Sequence, residues 1–130
     1  MLLLDENIPA GQRLLLREWR IHFRAVGIEV GRKGTKDENL IPVLHRLPQA
    51  TFFSLDRFFF RSDLLHHSYC LAWLDVADDQ ASDFIRRFLK HPRFNSQARR
   101  LGKVVRVHAN GAHFRQMGNP SLQSVRWRDR

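Results

Sequence analysis

The chain has 130 residues, 43% of them hydrophobic, which is enough for one domain with a buried core and too apolar for a disordered chain. Its apolar runs stay far below the roughly 18–20 residues that a spanning helix needs, which excludes a membrane span. Against 13 acidic residues stand 22 basic ones, 18 of them arginine, for a net charge of +9. A surplus of this kind points to a polyanionic partner, RNA, DNA or an acidic protein, because the guanidinium fork grips phosphate and carboxylate in pairs of hydrogen bonds. The bland alternative is a basic, soluble surface with no particular partner.

The first nine residues organise the rest. Leu2-Leu3-Leu4 is a continuous apolar run, as expected of a central strand covered on both faces, and Asp5-Glu6-Asn7 follows at once. Met1 leads straight into this strand without a basic n-region, so the expected location is the cytoplasm. Pro9 suits the first turn of a helix. That helix is predicted to run to about Ala25, with Leu15, Trp19, His22 or Phe23, and Val26 on its inner face and Gly27 as its stop. Ile28-Glu29-Val30 reads as a second strand, closed by the loop Gly31-Arg32-Lys33-Gly34. Thr35 and Glu38 have the spacing of a capping box, opening a second helix with Leu40, Leu44 and Leu47 inward, an awkward Pro42, and an end at Pro48.

Thr51 to Leu55 is the third predicted strand and ends on Asp56; Tyr69 to Leu74 is the fourth and ends on Asp75. The lone Cys70 falls inside that fourth run, as a buried thiol without a disulfide partner. A helix capped by Asp78 or Asp79 carries the apolar stripe Ala81, Phe84, Ile85, Phe88 and Leu89, and Pro92 stops it. Asn110-Gly111 between two strand-like runs is a hairpin signal. Residues 118–130 form either a last edge strand or a loose basic tail. The order implies a single α/β domain, 1–130, with a mostly parallel sheet and a C-terminal antiparallel hairpin.

Asp5 follows strand one, Asp37 opens the helix after strand two, and Asp56 follows strand three. In a parallel sheet all three lie at the C-terminal edge, where such sheets bind ligands. Gathered carboxylates repel one another unless protonated or neutralised by a cation, and Mg²⁺ or Mn²⁺ suits an all-oxygen set. Such an ion activates water against a phosphodiester while arginines hold the polyanion, which together describe a metal-dependent nuclease. Each acid taken singly also reads as a turn former or helix cap.

The segments Leu2-Leu3-Leu4-Asp5-Glu6-Asn7-Ile8-Pro9, Gly27-Ile28-Glu29-Val30, Gly34-Thr35-Lys36-Asp37-Glu38 and Phe53-Ser54-Leu55-Asp56-Arg57-Phe58-Phe59 resemble the PIN-like superfamily. Within it they are most similar to a small stand-alone branch with an LLDEN-type start, which also resembles the RNase domain named after Mut7. The likeness covers residues 1 to about 116. It implies a three-layer α/β/α sandwich, a Mg²⁺- or Mn²⁺-dependent endoribonuclease acting on single-stranded RNA, and a toxin neutralised by a small antitoxin protein; a homodimer stays open. Carried over residue by residue, it implies Asp5, Asp37 and Asp56 as metal ligands, with Glu6 and Glu38 beside them and Asn7 and Ser54 as supporting partners. The fourth catalytic acid is assigned to Asp75, with Asp63 behind it. Phe58 stands where that branch commonly has Asp.

Two rivals keep the fold without the chemistry: a non-catalytic nucleic-acid or partner-binding module, and a subunit whose basic face serves an acidic protein. His66-His67 as a transition-metal pair ranks lower, since adjacent histidines point apart. Phe58-Phe59-Phe60 reads as core before it reads as a base-stacking platform.

Overall fold

The structure, a computed structural model, describes residues 1–27 and 37–128, the side chains of Asp37, Glu38 and Pro120 excepted. The elements in chain order are β1 (Leu2–Leu4), α1 (Ala10–Glu18), β2 (Arg24–Ala25), α2 (Asp37–Arg46), β3 (Ala50–Ser54), β4 (Tyr69–Leu74), α3 (Ala81–Lys90), α4 (Gln97–Arg100), β5 (Lys103–His108), β6 (Gly111–Gln116) and β7 (Asn119–Arg126). They build one seven-stranded sheet in the order β2-β1-β3-β4-β5-β6-β7. The first five strands in that order run parallel and the last two are antiparallel. The expected mixed α/β fold, mostly parallel with an antiparallel C-terminal hairpin, is what forms.

Successive side chains in a strand point to opposite faces, and each face of this sheet has its own apolar cluster. Leu4, Phe53, Ala72, Leu74, Val105 and Val107 pack with Leu16 of α1 and with Phe84, Ile85 and Phe88 of α3. Leu3, Phe52, Leu71 and Val104 pack on the other face with Leu40 and Leu44 of α2 and with Phe59. Each fully buried side chain of this size contributes roughly 1.5–3 kcal/mol relative to exposure. The apolar β1 and β4 runs are therefore central strands, as their composition implied. Cys70 is buried among them, and burial pushes its thiol up to about 12. Among the described residues no helix is long and apolar enough to cross a membrane.

Several local expectations are corrected. The first helix stops at Glu18, seven residues before Ala25. Arg20 takes a positive φ of 61°, its N–H donates to the Arg17 carbonyl at 2.9 Å, and Ile21 N–H donates to the Leu16 carbonyl at 2.9 Å. This is the Schellman closure usually made by glycine, so the helix stop fell on a residue whose type gave no signal. The inner face is also shifted: Gln12 and Leu16 are buried, while Leu14 is exposed. The second strand is Arg24–Ala25, and the Ile28–Val30 segment, the loop to Gly34 and the Thr35 cap lie outside the described residues.

Helix α2 passes through Pro42, which lies on its exposed side. In front of α3, Asp78–Gln80 form a 3₁₀ turn, and no side chain caps the helix itself. The tight turn of the hairpin is Ala109-Asn110, because His108 pairs with Gly111. Gly111 is already in the strand, and a Cβ there would collide with the Val125 and Arg126 backbone. Of the two alternatives for the C-terminal segment, the edge strand forms, as β7.

Candidate active site

β1 sits between β2 and β3, so the chain leaves it toward one side of the sheet and returns on the other. At such a reversal the two flanking loops diverge and open a crevice beyond the C-terminal strand ends. Asp5 occupies that crevice. Its N–H donates to the Phe53 carbonyl at 2.9 Å, extending the β1–β3 ladder by one residue. With Leu3 opposite Phe52 and Leu4 opposite Phe53, the next pair across the ladder is Asp5 and Ser54.

Ser54 is the hub of this crevice. Its hydroxyl donates to Asp5 Oδ2 at 2.6 Å and accepts from Asn7 Nδ2 at 3.1 Å and from Asp56 N–H at 3.0 Å. One proton and two lone pairs are all a hydroxyl has, so its orientation is fixed and its proton goes to Asp5. Asp5 Oδ1 accepts from Glu6 N–H at 2.8 Å. Asn7 Oδ1 accepts from Leu55 N–H at 3.2 Å, tying the turn after β1 to the loop after β3. Asp56 Oδ1 accepts from Phe58 N–H at 2.9 Å and caps the 3₁₀ turn Arg57–Phe59.

Asp5 is only 5% exposed. Burial raises its pKa above the ordinary carboxylate value, the Ser54 and Glu6 hydrogen bonds oppose that rise, and the charges of Glu6 and Asp56 add to it. An ionised Asp5 is thus held in a place that disfavours its charge, next to a second acid, Asp56. Carboxylates so placed favour either a proton or a cation.

The other expected acids are placed differently. Asp37 opens α2, and its side chain lies outside the described residues, as does that of Glu38. Asp75 follows β4, one strand from Asp56, and its Oδ2 accepts from Arg106 Nε and Nη2, both at 2.8 Å. Asp63 pairs with Arg61 at 2.7 Å on the surface. Of the expected set, the described side chains bring together Asp5 and Asp56, with Ser54 and Asn7 between them. Arg106 went unremarked in the sequence. The alternation of Val105 and Val107, both fully buried, with Arg106 was the signal that puts its guanidinium on the face shared by Ser54 and Trp73.

His66 and His67 stack on one another at 4.3 Å between ring centroids, with His45 against His66 at 4.3 Å. Of the three consecutive phenylalanines, Phe59 is core, while Phe58 and Phe60 are half-buried and Phe60 leans on Trp73.

Among the described residues, no group of three His, Cys, Asp or Glu side chains is placed to hold a metal ion. Asp5 and Asp56 nevertheless form an oxygen-only pair, and Mg²⁺ keeps most of its waters and is commonly bound through one or two carboxylates. In donor chemistry the pair fits such an ion and fits a thiol- or imidazole-seeking metal poorly. No family model, curated protein or solved structure matches the chain.

Proposed function

We propose that the chain is a metal-dependent endoribonuclease of the PIN-like type, cutting single-stranded RNA at the crevice between β1 and β3. The observation that carries this reading is the buried Asp5 carboxylate, destabilised in its charged form and tied through one serine to Asp56. The apolar clusters on both sheet faces support the three-layer α/β/α arrangement that goes with it.

In this reading Asp5 and Asp56 hold Mg²⁺ or Mn²⁺, with Asp37 or Glu38 as further ligands from the start of α2. When bound, the ion supplies a water of lowered pKa and offsets the charge that builds on the phosphodiester. Ser54 keeps the Asp5 carboxylate turned into the crevice, and Asn7 keeps the two loops in register. The surplus arginines draw in the polyanion that the acids alone would repel. Asp75, locked to Arg106, acts as the fourth acid by positioning that guanidinium beside the crevice. A small antitoxin protein and a cytoplasmic location belong to the same proposal.

The test is cleavage of a labelled single-stranded RNA with Mn²⁺, together with calorimetric Mn²⁺ binding. Asp5→Asn and Asp56→Asn are expected to lose cleavage by about a hundredfold or more and to lose the bound ion, since even supporting residues of a metal site are worth ~10–100-fold. The convergence of only two carboxylates among the described side chains favours one other reading, a non-catalytic nucleic-acid-binding module. Equal, metal-independent behaviour of wild type and Asp5→Asn would establish that instead.

A further inference from the structure

Several basic residues line one cleft that the acid pair does not use. It lies between α3 and the end of β7, has a volume of about 550 Å³, and is lined by Arg87, Ala109, Asn110, Arg126, Trp127 and Arg128. A second hollow of about 330 Å³ continues it along Lys90, His91 and Pro92, sharing Arg87, Trp127 and Arg128. Neither lining includes an acid, though Arg87 is paired with Asp83 at 3.2 Å on the neighbouring turn of α3, and Arg87, Lys90, Arg126 and Arg128 are all exposed.

Trp127 is the wall common to both hollows, and its ring is fixed. Its Nε1–H donates to the His108 carbonyl at 2.8 Å, and it packs against Phe84 and His91 at 6.3 and 6.0 Å between centroids. His91 Nδ1 accepts from Arg93 N–H at 3.1 Å, which leaves the proton on Nε2 to donate to the Arg126 carbonyl at 3.0 Å. The end of β7 is therefore pinned to α3, and the walls of the cleft are built in place. A half-buried indole whose polar edge is already satisfied, set among cations, suits a base stacked beside its own phosphates.

Position supplies the second argument. Arg126 pairs with Gly111, and Gly111 with His108, so the end of β7 lies on the sheet edge that also carries Asp5, Asp56 and Asp75. Four strand spacings of ~4.8 Å, or ~19 Å along the sheet, separate β3, at the acid crevice, from β7, and Trp127 turns onto Phe84 of α3.

We propose that this cleft is a second site for the same single-stranded RNA, seating phosphates on Arg87, Arg126 and Arg128 and a base on Trp127, so that the strand is anchored at a fixed distance from the acid crevice. This rests on the ribonuclease reading for the identity of the strand.

Binding of a short fluorescent oligouridylate to Asp5→Asn protein in EDTA tests the cleft without any cleavage. Adding Arg87→Gln and Arg128→Gln is expected to weaken binding about tenfold at ~0.1 M salt and to lower the log–log salt slope by about 1.4, at ~0.7 per phosphate lost. Adding Arg17→Gln and Arg46→Gln, the same charge change in the last turns of α1 and α2, is expected to leave the slope in place. In Trp73→Phe protein, which removes the indole beside the acid crevice, the oligonucleotide should still quench tryptophan fluorescence, and adding Trp127→Phe should abolish that quench while adding Trp19→Phe keeps it.

Equal weakening by both arginine pairs, or a quench that survives Trp127→Phe, overturns the cleft. So does polyglutamate that competes and quenches as well as RNA, which would mark an acidic protein as the partner. If cleavage depends on Asp5 yet binding ignores the cleft, only the cleft fails. If binding depends on the cleft but no cleavage is found, the ribonuclease reading fails and the cleft stands.

Discussion

Asp5 and Ser54 show at the residue scale how stability is traded for a site. The raised Asp5 pKa means that the folded state binds its proton more tightly than the unfolded chain does. The stability this group contributes is therefore full below the ordinary value of 3.8 and is lost as the pH rises through the folded value. At neutral pH the ionised side chain is destabilising, as is common for functional acids. Asp5→Asn removes the charge but sets an NH2 donor against either the Ser54 hydroxyl or the Glu6 N–H, so the pH dependence is the readout rather than the Tm at one pH. From pH 3.8 to pH 7 the Tm of metal-free Asp5→Asn relative to wild type is expected to rise by a few °C, on the scale of ~1 kcal/mol. Added Mn²⁺ should raise the Tm of wild type and not of Asp5→Asn; thermal scans against pH and Mn²⁺ check both. Ser54→Ala acts the other way. It strips partners from Asp5 Oδ2, Asn7 Nδ2 and Asp56 N–H at once, and chemical denaturation should show a loss of about 2–3 kcal/mol.

At the scale of elements, what was legible in the sequence was what hydrophobic pattern controls. Tyr69–Leu74 and the stripe of α3 appear where their apolar residues put them, because burying those side chains outweighs any local preference. Asp5 and Asp56 were placed at the strand ends for the same reason: a strand that must be central fixes what stands at its end, whereas Ser54 entered only through the resemblance. What was hidden was set by backbone conformation at residues of unremarkable type. Nothing in the identity of Arg20 announces a left-handed residue, so the helix was extended to Ala25 on periodicity alone. Asn110-Gly111 gave a turn signal offset by one residue, because Gly111 is needed for close approach to β7 rather than for turn geometry. Arg106 as the partner of Asp75 depends on which strand lies beside β4, a matter of topology that spacing cannot supply.

Both hidden positions can be tested by substitution. Arg20→Gly removes the Cβ clash of a left-handed residue and is expected to stabilise by about 0.5–1 kcal/mol in urea titrations. Gly111→Ala drives a methyl into the Val125–Arg126 backbone. It is expected to cost about 3 kcal/mol or more, or to shift β7 out of register. The second outcome is visible as loss of amide-exchange protection along Gly111–Gln116.

The whole molecule carries +9 before any histidine is protonated, and it has seven histidines. Two of them resist protonation in the fold. Burial lowers the pKa of His66 first, and the neighbouring His45 and His67 lower it further. Burial likewise lowers that of His108, with His113 and Arg106 acting in the same direction and Asp75 opposing. A depressed folded pKa means that the unfolded chain binds protons first. Stability from these groups is present above the ordinary value of 6.5 and is lost as the pH falls through the folded values. New charge on an already basic surface adds general repulsion, which salt screens over about 8–10 Å. The Tm is therefore expected to fall between pH 7 and pH 5, opposite in sign to the Asp5 effect and in a higher window. Added salt should reduce the general part of that fall and leave the histidine part. His66→Gln with His108→Gln should remove much of what salt leaves, because neutral amides neither gain nor resist a proton. NMR titration of the ring protons gives the independent check: His66 and His108 should titrate below the ordinary value of 6.5. If both titrate at that value, the acid sensitivity belongs to net charge alone and the double variant will not relieve it.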